Sequence, residues 1–122
     1  MTDIYHLYYC QDVKGEIPAL NYIDNLAKKD RAKVKKYIDF LQQNKGRLNE
    51  PFCRHIKGEI WELRVDFARH RHRIFYFIFF DKKIILLSGF QKHSQKTPIQ
   101  EIIKAQKILN YFKNNQFIIN YE

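Results

Sequence analysis

Residues 60–90 read IWELRVDFARHRHRIFYFIFFDKKIILLSGF, and the spacing of their apolar side chains decides the fold. In IWELRVDF, Trp61, Leu63, Val65 and Phe67 alternate with Glu62, Arg64 and Asp66, the period of a strand with one apolar and one polar face. The unbroken apolar run RIFYFIFF suits a central strand covered on both faces, and IILLSGF suits a third strand. The connections ARHRH and Asp81-Lys82-Lys83 are short enough to be turns and too short to be crossovers, so the three strands are expected to be antiparallel.

The flanks carry helical periodicity. Upstream, DIYHLYYC reads as a first strand, and Lys14-Gly15 mark a turn before EIPALNYIDNLAKKD, with Pro18 in the first turn of a helix. Leu20, Ile23 and Leu26-Ala27 recur at helical spacing. In DRAKVKKYIDFLQQNKG, Val34, Tyr37, Ile38 and Leu41 share a face until Gly46 stops the helix. Lys33 and Lys36 fall largely on the solvent side, and RLNEPF reads as a loop. Downstream, Thr97 is expected as an N-cap, with Pro98 at the first helical position and Gln100 closing a capping box. Ile102, Ala105, Leu109 and Phe112 form a stripe that carries this last helix to about Lys113. The tail, residues 114–122, is compatible with a flexible end, an edge strand or a segment lying against a partner. The expected architecture is a small α+β domain spanning residues 1–122. Its order is β-α-α-β-β-β-α, with two N-terminal helices and a C-terminal helix on a mostly antiparallel sheet.

Composition narrows the function. The chain has 122 residues, 45% hydrophobic and 16% aromatic, enough for one core. No apolar run approaches the roughly 20 residues of a membrane span, and the N-terminus lacks a secretion signal, so a cytoplasmic location is expected. Cys10 and Cys53 form no CxxC pair or disulfide framework and read as buried thiols. Lys and Arg number 22 against 13 Asp and Glu, a formal charge of +9 that favours polyanionic partners. These charges are interleaved with core residues instead of gathered in a basic tail, so folding must collect some of them on one surface. Trp61 and the Phe-rich strand read as core, not as platforms for stacked bases. His70 and His72 alternate with arginines but have no cysteine or identifiable carboxylate converging on them, so no metal site and no cofactor are expected.

The linked set IWELRV, then Arg73 opening RIFYF, then LLSGFQKHSQKTP and EIIKAQ resembles the RelE/HigB superfamily of bacterial toxins, in its phage-related HigB-like branch. The likeness is close over the second half of the chain and only a matter of pattern over the first. It implies the toxin of a type II toxin-antitoxin pair, a metal-independent endoribonuclease cleaving messenger RNA on the translating ribosome and neutralised by a helix-turn-helix, HigA-like antitoxin. By the same resemblance Arg73 addresses the scissile phosphate, Arg64 matches a basic position on the preceding strand, and Lys92 matches the first lysine after Gly-Phe. His93 stands where many relatives have a second lysine, either as its substitute or as a proton-transfer group, and the chain has no tyrosine between Tyr76 and Tyr111. The general base is thus left open. Metal-free RNA cleavage needs a base, an acid and cations to offset charge growing on the phosphorane. Arg64, Arg73, Lys92 and His93 are the catalytic candidates; Lys96, Arg71, Arg69 and Lys57 are candidates for RNA phosphate contacts. Two other classes stay open, a non-catalytic RNA- or ribosome-binding module and a basic groove that receives a partner protein.

Overall fold

The computed structural model describes residues 4–121. Asp3, at the head of the expected first strand, and Glu122, at the end of the tail, lie outside the described residues. The elements run β1 (His6–Cys10), α1 (Pro18–Asp24), α2 (Lys28–Gln43), β2 (Cys53–Lys57), β3 (Ile60–Phe67), β4 (His70–Phe79), β5 (Lys83–Gln91), α3 (Ile99–Asn115) and β6 (Ile118–Asn120). The strands form one sheet in the order β2-β3-β4-β5-β1-β6. The β3-β4-β5 meander is antiparallel as its short turns require, while β1 runs parallel to β5, which the long intervening chain through both helices permits.

Helices cover both faces of the sheet. On one side α1 and α2 contribute Ala19, Ile23, Val34, Ile38 and Leu41, packed on Leu63, Val65, Ile74, Tyr76 and Leu86. On the other, Ala105, Ile108, Leu109 and Phe112 of α3 pack on Phe75, Phe77, Ile85, Leu87 and Phe90. Successive residues of β4 therefore enter opposite cores, which is why its sequence is apolar without alternation. Phe77 and Phe112 meet edge to face with ring centroids 5.5 Å apart. No helix among the described residues is long and apolar enough to cross a membrane.

Three local readings change, and one left open is decided. The segment Cys53–Lys57 pairs with β3 as an additional edge strand; its exposed cations hide the period, and only Cys53 is fully buried. The tail places Ile118–Asn120 antiparallel to β1, the edge-strand option. The β3-β4 turn is Ala68-Arg69 alone, both at positive φ (48° and 75°), so His70, Arg71 and His72 belong to the strand and not to a hairpin tip. The capping box at α3 does not form: Pro98 is the N-cap residue with no side-chain cap bond, and the Thr97 hydroxyl donates instead to Glu62 Oε2 at 3.3 Å. The helix then extends to Asn115, two residues past the expected end.

Candidate functional site

The α3 face of the sheet is covered by the helix over only part of its length. Beyond the apolar patch, the same face carries the polar side chains of β3, the start of β4 and the end of β5. Register brings them together: Arg64 lies opposite Arg73, Asp66 opposite Arg71, and Arg73 opposite Phe90. The Lys92 amide donates to the Arg71 carbonyl at 2.7 Å, which extends the ladder one residue beyond β5 and seats Lys92 beside Arg71. Arg64, Arg71, Arg73 and Lys92 thus share a patch made by three neighbouring strands.

The patch is built partly underground. Arg73 is 1% exposed, Glu62 1% and Lys92 7%, whereas Asp66 is exposed. Burying charges of this kind is costly unless they are paired. Arg73 Nη1 donates to Asp66 Oδ1 at 2.7 Å and to the His72 carbonyl at 2.9 Å. Glu62 Oε1 lies 4.0 Å from Arg73 Nε and 3.7 Å from Arg64 Nε. Both Nε groups are buried without a hydrogen-bond acceptor among the described residues. The Lys92 ammonium is held below the ordinary lysine pKa, first by burial and then by the nearby Arg73 charge; Glu62 opposes the shift and Arg64 and Arg71 add to it. Such a site attracts an anion and keeps one amine easier to deprotonate than a surface lysine.

The remaining candidates lie outside this patch. His93 and Lys96 are exposed on the loop between Lys92 and Pro98, where the Ser94 hydroxyl donates to the Lys96 carbonyl at 2.9 Å. Arg69 is exposed at the β3-β4 turn. Lys57 is exposed on β2 opposite Ile60, at the end of β3 away from that turn. Charge alone did not single out Glu62 and Asp66 as partners that pair the arginines, or Thr97, whose hydroxyl donates to Glu62. Their signal was in the alternation, since Glu62, Arg64 and Asp66 share one face of a single strand.

A second polar cluster occupies the opposite face of the same stretch of β4. His70 Nδ1 and His72 Nε2 lie 2.6 and 2.7 Å from one oxygen, Oδ2 of Asp30 in the first turn of α2. The other ring nitrogen of His72, Nδ1, lies 2.6 Å from the Tyr22 hydroxyl on α1. The two histidine bonds, His72 first, hold the Asp30 carboxyl below its ordinary pKa. Here is the convergent carboxylate that the alternating histidines lacked in sequence. Asp30 was legible after all: it precedes Val34 by four residues and Ile38 by eight, on the stripe that faces the sheet.

A family model described as phage derived protein Gp49-like (DUF891) matches residues 21–110, well over half of the chain. The matched span runs from α1 into α3 and includes every residue of both clusters. No curated protein matches.

Proposed function

The chain belongs to the Gp49-like family of phage-derived proteins, a toxin-like family related to RelE and HigB, and on that premise we propose that it is the toxin of a toxin-antitoxin pair and acts as a metal-independent endoribonuclease on messenger RNA at the translating ribosome. The observation that carries this reading is the convergence of Arg64, Arg71, Arg73 and Lys92 on adjacent strands around the buried Glu62 carboxylate.

A phosphodiester set against the partly exposed Arg64 lies over the fixed charge of the buried Arg73, a preorganised cationic arrangement that stabilises charge as it develops on a pentacoordinate phosphorus. Lys92, when neutral, accepts the proton of the attacking 2′-hydroxyl; its lowered pKa makes that form accessible nearer neutrality. The 5′-oxygen leaves with a proton, for which His93, exposed on the adjoining loop, is the candidate donor. Arg69, Arg71 and Lys96 then provide phosphate contacts that add affinity without sequence choice. A helix-turn-helix, HigA-like antitoxin is the expected neutralising partner.

Induced expression with transcriptome-wide mapping of RNA 5′ ends tests the proposal. New ends should arise within translated messages for the wild type and disappear for Lys92→Met. Messages left intact by the wild type, together with salt-sensitive RNA binding, would establish a binding module instead of a nuclease.

A further inference from the structure

We propose that Asp30, His70 and His72 form a binding site for a divalent first-row transition-metal ion, on the face of the sheet opposite the basic patch. The donor atoms already converge: one carboxylate oxygen and two imidazole nitrogens lie within 4.8 Å of one another. Two neutral imidazoles with one carboxylate suit Zn²⁺ and its neighbours, whereas Mg²⁺ and Ca²⁺ prefer oxygen donors. With metal-ligand bonds of about 2.0–2.2 Å, adjacent donors sit roughly 2.8–3.6 Å apart in octahedral or tetrahedral geometry. The present contacts of 2.6 and 2.7 Å therefore need to open by at most about 1 Å. His72 is 1% exposed in its side chain and Asp30 9%, but His70 is 48% exposed, so an ion can enter past His70 and keep open positions toward solvent.

The proton arrangement allows the exchange without charging a histidine. An ionised carboxylate only accepts, so in the metal-free cluster each imidazole donates its N–H to Asp30, and the Tyr22 hydroxyl donates to His72 Nδ1. On binding, both rings change tautomer: the His70 proton moves to the solvent-side Nε2 and the His72 proton to Nδ1. Tyr22 then turns from donor to acceptor, because a hydroxyl serves in either sense. Tyr22 thereby becomes the outer partner that orients a ligating histidine. The ion would tie the first turn of α2 to the start of β4, the strand whose opposite face carries Arg71 and Arg73, and would not touch bound RNA.

The test is titration of the purified full-length protein with Zn²⁺ by calorimetry, and with Co²⁺ by visible spectroscopy. The wild type should bind one ion per chain and give Co²⁺ ligand-field bands. His70→Ala, which removes a half-exposed ligand without opening the core, should weaken Zn²⁺ binding by more than about 100-fold, and Tyr22→Phe by roughly 10-fold. His55→Ala, at an exposed histidine on β2, should stay within about twofold of the wild type. A wild type that leaves the Co²⁺ spectrum at that of the aqueous ion, or a His70→Ala variant that binds Zn²⁺ as tightly as the wild type, would overturn the assignment.

Discussion

Replacing Arg73 with Ala should unfold the site before it informs on catalysis. Arg73 is 1% exposed, and its removal leaves the equally buried Glu62 with Arg64 at 3.7 Å and the Thr97 hydroxyl at 3.3 Å. At the 4.0 Å separation of Arg73 Nε from Glu62 Oε1, an effective dielectric near 20 gives about 4 kcal/mol of attraction. That figure agrees with the roughly 3–5 kcal/mol lost when one partner of a buried pair is deleted. The shorter contact to Asp66, at 2.7 Å, counts for less because the Asp66 side chain is 64% exposed, so Asp66→Ala should cost at most about 1 kcal/mol. Urea denaturation of the two variants should show this inverted order, the longer contact outweighing the shorter. In a double-mutant cycle, Glu62→Gln and Arg73→Gln should couple by more than about 1 kcal/mol. An Arg73→Ala protein within about 1 kcal/mol of the wild type, or a coupling below about 0.5 kcal/mol, would refute the buried-pair argument and make Arg73 a freely substitutable phosphate ligand. If the argument holds, loss of RNA cleavage in Arg73→Ala is interpretable only at temperatures where the variant stays folded, and Lys92→Met becomes the cleaner probe.

Three further outcomes follow from local geometry. A Cβ at Gly89 would lie 2.6 Å from Tyr22 Cδ2 and 2.9 Å from Ile74 Cδ1, so Gly89→Ala should destabilise by about 1–3 kcal/mol in urea and displace Tyr22 from His72. Lys92 loses its proton more readily in the folded chain than in the unfolded one, so unfolding free energy should rise with pH between its lowered pKa and the ordinary 10.5; Lys92→Met should abolish that slope and raise stability at neutral pH, as denaturation at a series of pH values will report. Arg69 holds φ at 75°, so Arg69→Gly should stabilise the hairpin by about 0.5–1 kcal/mol while reducing the salt dependence of RNA binding by roughly one phosphate contact.

The fold was legible wherever one period dominated. The β3-β4-β5 meander and the α2 and α3 stripes follow from long segments whose apolar spacing admits one secondary structure. Residues 53–57 failed because a short edge strand needs little apolar surface: His55 and Lys57 are exposed, and Ile56 is only partly buried. At α3, Thr97 and Gln100 have the spacing of a capping box, but a local signal lost to a tertiary one, the buried Glu62 carboxylate across the sheet. The candidate site divided in the same way. Arg64 and Arg73 were both legible as strand residues, but with ARHRH taken as the turn their pairing was not; the two-residue turn Ala68-Arg69 sets that register. The exposure of His93 and the burial of Lys92 depend on one further ladder bond past the end of β5, which no periodicity announces.

The run His70-Arg71-His72-Arg73 shows how much depends on that register. Read as a turn, it is a loose basic tip. Paired as the first part of β4, it sends His70 and His72 to Asp30 on one face and Arg71 and Arg73 to the patch on the other. A slip of one residue would present imidazoles to the basic patch and bury guanidiniums against Tyr22 and Asp30, so both sites would fail together. The Asp30 cluster is therefore a register lock for the basic patch as well as a candidate metal site: it anchors alternate residues of β4 to α2, and the intervening arginines have only one face left to occupy. On the proposed nuclease reading, a variant that weakens the lock without unfolding the sheet, such as Tyr22→Phe, should therefore reduce cleavage in the same end-mapping assay through disorder of Arg71 and Arg73, although Tyr22 lies on the face of β4 opposite the basic patch.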